Sequence, residues 1–269
     1  MKRILSLTFV VLLFVQCSTV PITGRKRVNF VSDAQVLPMS FQQYSGFLTE
    51  NKTKLINNTP ASNELKTVGK NIAGAVDRFM RANGMTAEAN AYKWEFNLIN
   101  DETVNAWCMP GGKVVFYTGI MPICDNVDGV AAVMGHEVAH AFAKHGQERM
   151  SSAQLQQLGG AAVAIGTANN RNAQLWNMAY GVSSQLGMLK FSRTHETEAD
   201  KLGLVFMIMA GYKGEEAVNV WIRMSQKSGG SKQPEFLSTH PSNQSRIVAL
   251  RNYLPTARKY AAQYNRQTR

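Results

Sequence analysis

His136, Glu137 and His140 stand in the spacing H-E-x-x-H. On a helix, positions four apart fall one turn apart on one face, so the two imidazoles can share a zinc ion. Val127, Val130, Ala131, Met134, Val138 and Phe142 make an apolar stripe, and Ala132, Ala139 and Ala143 flank the histidines on the opposite side. A helix that is apolar or small nearly all round is buried, and an unpaired Glu137 inside it would be costly. A metal or a proton-transfer role explains a carboxyl in that place. The competing structural explanation is a pair of core histidines beside a salt-bridged glutamate.

Catalytic zinc takes three protein ligands and leaves a fourth position for water. Glu196 is the candidate third ligand. In Glu196-Thr197-Glu198-Ala199-Asp200 the carboxylates of Glu196 and Asp200 stand one turn apart, on a helix that runs on through Leu202, Leu204, Val205, Phe206 and Met209 to Gly211. Like charges at that spacing repel, and a cation between or near them removes the conflict. Asp200 suits the next layer, accepting the other ring N–H of a ligating histidine and fixing its tautomer. Glu198 is expected to point elsewhere, solvated or salt-bridged. His195 stays open as an alternative ligand, offset from the Glu196 and Asp200 face.

These residues need elements to hold them. Leu65, Val68, Ile72, Ala75, Val76 and Phe79 recur at helical spacing and predict an amphipathic helix over 63–80 that leaves at Gly84. Tyr92, Trp94, Phe96 and Leu98 alternate with polar residues, which predicts a strand with one buried face. Val104 to Met109 and Lys113 to Thr118 flank Pro110-Gly111-Gly112 and predict a hairpin, hence a small antiparallel sheet. If Val104 to Met109 is an edge strand at the cleft, its N–H and C=O groups can pair with an extended substrate, with Asn105 and Ala106 as substrate-binding residues. The alternative is a covered edge with Asn105 serving the turn. From Asn126 the pattern is helical with short turns and one break at Gly229 to Pro234. Gln154 to Leu189 reads as a helix pair over a groove, able to act as a lid. The expected class is α+β, mainly helical, with the sheet beside the H-E-x-x-H helix.

The chain has 269 residues, 45% apolar and 17% charged, which excludes a disordered polymer. Its 29 Lys and Arg against 18 Asp and Glu leave +11, which suits anionic surfaces. Paired aromatic RNA-binding boxes and Cys/His finger spacings are absent from the sequence, so no nucleic-acid partner is expected. Met1, Lys2 and Arg3 precede an apolar run from Ile4 to Val15 that is too short to span a bilayer and reads as a secretory signal. Cys17 follows, and with Ser18 and Thr19 the segment resembles a bacterial lipoprotein signal in which Cys17 is lipidated, although Gln16 stands where a small residue is usual. Cys108 and Cys124 remain as thiols able to pair in an oxidising compartment.

His136-Glu137-Val138-Ala139-His140, followed by Ser192-Arg193-Thr194-His195-Glu196-Thr197-Glu198-Ala199-Asp200, resembles the gluzincin family of HtpX, the CAAX prenyl proteases and the mitochondrial and periplasmic quality-control peptidases. Asn105-Ala106 before Pro110-Gly111-Gly112, and Thr239-His240-Pro241-Ser242 before Arg246-Ile247, also resemble family signatures. The resemblance covers roughly Asn105 to Ile247. It lies nearest the soluble-domain periplasmic lipoprotein peptidases of the BepA and YggG type, since long transmembrane helices are missing from the sequence. It implies a zincin-like domain with one Zn2+ per chain held by His136, His140 and Glu196, with Glu137 as the catalytic base. It places His240 near the metal, as an oxyanion helper or as a latch on the open position; the plainer reading is a surface histidine capping the next helix. The expected organisation is a lipoprotein signal over 1–16, a lipid anchor and tether over 17–51, and the peptidase domain over 52–269. The expected protein is a membrane-anchored lipoprotein of the bacterial cell envelope, facing the periplasm and cleaving unfolded or misassembled proteins. A zinc-binding chaperone or assembly factor is the alternative, and a module that binds anionic surfaces rests on charge alone.

Overall fold

The computed structural model describes residues 16–160, 191–227, 234–240 and 244–267. The greater part of the expected signal, most of the expected helix pair over Gln154 to Leu189 and most of the Gly229 to Pro234 break lie outside the described residues.

Helix α1 is Asp33–Glu50 and α2 is Pro60–Ala82. The start of α2 is set by Thr59, whose hydroxyl accepts a hydrogen bond from the Ser62 amide, and by Pro60 at a position where no amide is needed. Its predicted apolar face, Leu65 through Phe79, is buried, and the chain leaves at Gly84 with φ +74°. A short helix α3, Thr86–Ala91, leads into the sheet.

The sheet contains β3 (Leu55–Ile56), β4 (Glu95–Ile99), β5 (Ala106–Met109) and β6 (Lys113–Tyr117) in the order β3-β4-β6-β5. The β5–β6 hairpin is antiparallel and turns at Gly111 and Gly112, whose φ values of +81° and +84° favour glycine. Strand β6 then inserts between β5 and β4, parallel to β4, with Phe96 beside Val114 and Leu98 beside Phe116. The mainly helical α+β class holds, and this one pair in an otherwise antiparallel sheet is parallel.

The sheet is buried on both faces, where the alternation in Tyr92 to Leu98 had predicted one. Phe96, Leu98, Val114 and Phe116 join the main core, whereas Ile99, Met109 and Val115 join a smaller one under Val36 and Tyr44 of α1. Polar Asn97 is tolerated because its amide donates to the Tyr44 hydroxyl at 2.7 Å. The stretch expected as a tether is therefore folded. Strands β1 (Gln16–Thr19) and β2 (Lys26–Asn29) pair antiparallel, Cys17 opposite Val28, and α1 covers the sheet. Its polar composition concealed this, since α1 buries only the narrow stripe Val36, Ser40 and Tyr44.

The remaining helices are α4 (Met121–Cys124), α5 (Val127–Phe142), α6 (His145–Gly160), α7 (Arg193–Met209), α8 (Glu215–Lys227), α9 (Glu235–Thr239) and α10 (Gln244–Gln267). Helix α5 is capped by the Asn126 side chain, which accepts from the Gly129 amide, and is buried from Gly129 to Phe142. Ser192 caps α7 by accepting from the His195 amide, and Gly211, φ +94°, ends it. The two helices cross backbone to backbone: a Cβ built on Gly203 would lie 2.7 Å from the Gly135 carbonyl carbon and 2.7 Å from the His136 nitrogen. Cys108 and Cys124 are buried free thiols, not a disulfide. Among the described residues, no helix is long and apolar enough to cross a membrane.

Candidate active site

The glycine crossing brings the His136–His140 face of α5 against the Glu196–Asp200 face of α7. His136 Nε2 and His140 Nε2 stand 3.1 Å apart, and Glu196 lies 3.6 Å from the first through Oε2 and 3.4 Å from the second through Oε1. His240, which follows α9, adds Nδ1 at 3.0 Å from Glu196 Oε1 and 3.4 Å from His136 Nε2. Ligand bonds of about 2.0–2.1 Å to a tetrahedral ion put ligand atoms roughly 3.3–3.4 Å apart. The observed spacings scatter about that edge length, so the donor set suits zinc. All four residues are buried. Glu137, 2% exposed, has no hydrogen-bond partner on Oε1, and His240 Nε2 stands 3.7 Å from it. Burial pushes the Glu137 carboxyl up from its ordinary value, against the pull of His240 and His136.

Asp200 Oδ1 lies 3.0 Å from His136 Nδ1, the ring atom turned away from the cluster. The cation expected between the two carboxylates is a side chain: Arg246 of α10 donates to Asp200 at 2.7 and 2.8 Å, and its Nη1 stands 2.7 Å from Glu196 Oε2. The guanidinium also packs 3.7 Å from the centre of the Trp221 ring. Burial works against ionisation of Glu196, but the charges of His240 and Arg246 outweigh it and hold that carboxyl well below its usual range. Arg246 had no expected role in the sequence. The available signal was its place in the signature that runs from Thr239-His240-Pro241-Ser242 to Arg246-Ile247.

His240 is 3% exposed, which excludes the surface reading. Phe236 and Phe191 both stack against its ring, with centroids at 4.5 and 5.1 Å. His195 stands apart from the four clustered residues. It pairs with Glu148 at 3.0 Å and stacks on His145 at 4.3 Å. Glu198 is not solvated. It accepts from His145, Arg25 and the Thr23 hydroxyl, and although burial opposes its charge, His145 and Arg25 bring its pKa to about 2. Burial lowers His145 to about 4.

Asn105 serves both its own strand and its neighbour: Oδ1 accepts from the Ala106 amide at 2.9 Å, and Nδ2 donates to Glu235 at 3.1 Å. The Phe236 amide donates to the Val104 carbonyl at 3.0 Å, so α9 covers the start of this edge. The β5–β6 register, with Tyr117 donating to the Asn105 carbonyl, turns the backbone groups of Ala106 and Cys108 outward. The Ala106 amide is already engaged by Asn105.

Residues 64–254 match the model of peptidase family M48. The chain is 32% identical over 249 residues to the mitochondrial metalloendopeptidase OMA1 of Saccharomyces cerevisiae, an alignment covering 88% of this chain and 69% of that protein. The human metalloendopeptidase OMA1, also mitochondrial, is 25% identical over 261 residues, covering 94% of this chain and 49% of the other. The β-barrel assembly-enhancing protease of Escherichia coli is 29% identical over 179 residues, covering 62% and 36%. These similarities overturn the expected place of a lipoprotein in the bacterial envelope facing the periplasm. The yeast and human relatives, which align over more of the chain than the bacterial one, are mitochondrial.

Proposed function

This chain belongs to peptidase family M48, and on that premise we propose that it is a zinc-dependent endopeptidase acting on unfolded or misassembled proteins. The observation that carries this reading is the buried, unpartnered Glu137 oxygen beside three donor atoms at ligand spacing. His136, His140 and Glu196 would hold the metal. When bound, zinc supplies Lewis acidity to the scissile carbonyl and to the attacking water. Glu137 would serve as the general base toward an attacking water and as the acid toward the leaving amine, a role suited to a carboxyl whose proton affinity burial has raised. Arg246 holds Asp200 and Glu196 in place, and Asp200 faces the outer nitrogen of His136. Substrate backbone pairs with the outward Ala106 carbonyl and with the backbone groups of Cys108, with Asn105 fixing the strand's entrance by holding the Ala106 amide. Backbone pairing reads extended chain with little regard for side chains, which fits unfolded substrates.

The test is Glu137→Gln. It keeps the shape of the site and removes the base, so degradation of an unfolded protein should fall by about 10²- to 10⁴-fold while bound zinc stays at the wild-type level. Wild-type turnover in that variant overturns the assignment.

For His240, the spacing of Nδ1 from Glu196 and His136 favours a fourth donor over an oxyanion helper. In that role His240 would occupy the position left for water until substrate displaces it. His240→Ala is then expected to raise basal peptide turnover severalfold without loss of bound metal. A fall in turnover returns His240 to the oxyanion role.

A further inference from the structure

Lys144, in the left-handed region at φ +59°, turns the chain between α5 and α6. The turn folds His145 back onto the helix it has just left. His145 Nδ1 lies 2.9 Å from His140 Nδ1, and its Nε2 lies 2.9 Å from Glu198 Oε2. His145 is 0% exposed. Glu198 is gripped in turn by the N-terminal hairpin segment, through the Thr23 hydroxyl and through Arg25 Nε at 2.7 Å. The other arms of Arg25 reach Glu148 of α6 at 2.7 and 2.8 Å. Arg25 is thus the cation that the clustered carboxylates Glu148 and Glu198 require, and it ties α6 to α7.

Proton placement along this chain follows from what each atom is able to do. A carboxylate only accepts, so His145 Nε2 carries a hydrogen. In the neutral ring, the form that full burial favours, Nδ1 is then bare and can only accept. The facing nitrogen, His140 Nδ1, must then carry a hydrogen and donate it. What remains on His140 is a lone pair at Nε2, the atom that stands among His136, Glu196 and His240.

We propose that His145 and Glu198, braced by Thr23 and Arg25, are positioning residues that lock His140 in its Nδ1–H tautomer and present Nε2 as a preformed metal donor. This rests on the metal-centre reading given above. Residues that orient a ligating histidine typically account for about 10- to 100-fold in metal affinity. The N-terminal hairpin therefore acts on the site from outside it, through Glu198 and His145.

Two measurements on the full chain decide the matter. Nitrogen-15 NMR of the histidine rings in the metal-free protein should show hydrogen on Nδ1 of His140 and on Nε2 of His145. The opposite tautomer at His140 overturns the proposal and needs no variant. Chelator competition should show zinc affinity falling about 10- to 100-fold in His145→Leu, which has no acceptor, and largely restored in His145→Asn, whose amide oxygen can take the same hydrogen. Unchanged affinity in His145→Leu overturns the positioning role alone. A wild-type chain that binds no zinc fails differently, since it overturns the metal-centre reading beneath it.

Discussion

Glu196→Ala is expected to yield a folded chain that neither retains zinc through dialysis nor cleaves peptide bonds. Folding should survive because Arg246 keeps its two hydrogen bonds to Asp200, so no buried charge is left alone. Metal binding should not survive. The substitution leaves two imidazoles as primary donors and removes the one carboxylate among the three ligands, so an entering cation loses both a ligand atom and a negative charge. The loss in affinity should exceed the roughly 10- to 100-fold typical of a supporting residue. Metal content by elemental analysis, taken beside a circular dichroism melt, checks both halves. Full zinc occupancy in the variant would remove Glu196 from the ligand set.

Gly203→Ala should be nearly as damaging, although residue 203 bears no functional group. The added Cβ would meet backbone atoms of Gly135 and His136 at 2.7 Å, and backbone has no rotamer with which to yield. Helix α7 must therefore back away from α5. Overpacking of this kind costs about 1–3 kcal/mol, visible as a lowered Tm. The same displacement separates Glu196 from His136 and His140, where ligand distances tolerate only about 0.2 Å. Zinc affinity and activity should fall together with Tm. A variant with wild-type Tm and wild-type zinc affinity would show that the crossing does not set the ligand spacing.

The parts of this molecule that were legible in the sequence are those whose pattern is local. The α5 helix, its two histidines and Glu137 lie within one short run, and the Glu196–Asp200 pair on an apolar helix announces a counter-charge. Arg246 and His145 escaped because their meaning lies in partners 46 and 53 positions away. The strands were visible as alternation and as a glycine turn. The insertion of β6 beside β4 was not, because no periodicity records which strand a hairpin will dock against. Residues 17–51 gave little sign of the β1–β2 pair and of what α1 packs on, for a related reason: α1 buries few residues, and its stabilising partners lie on a sheet formed much later in the chain.

The grip of Arg25 on both Glu148 and Glu198 has a practical side. It divides the chain into places that tolerate interruption and places that do not. At Gly84 the backbone has nothing within 4 Å of where a side chain would begin, so an inserted tag or a new terminus there would disturb little. Gly24 has equally open surroundings, yet Thr23 and Arg25 beside it reach inward to α7 and α6. An engineer judging by surface exposure alone would rate the two turns alike, and only one of them is a safe place to cut.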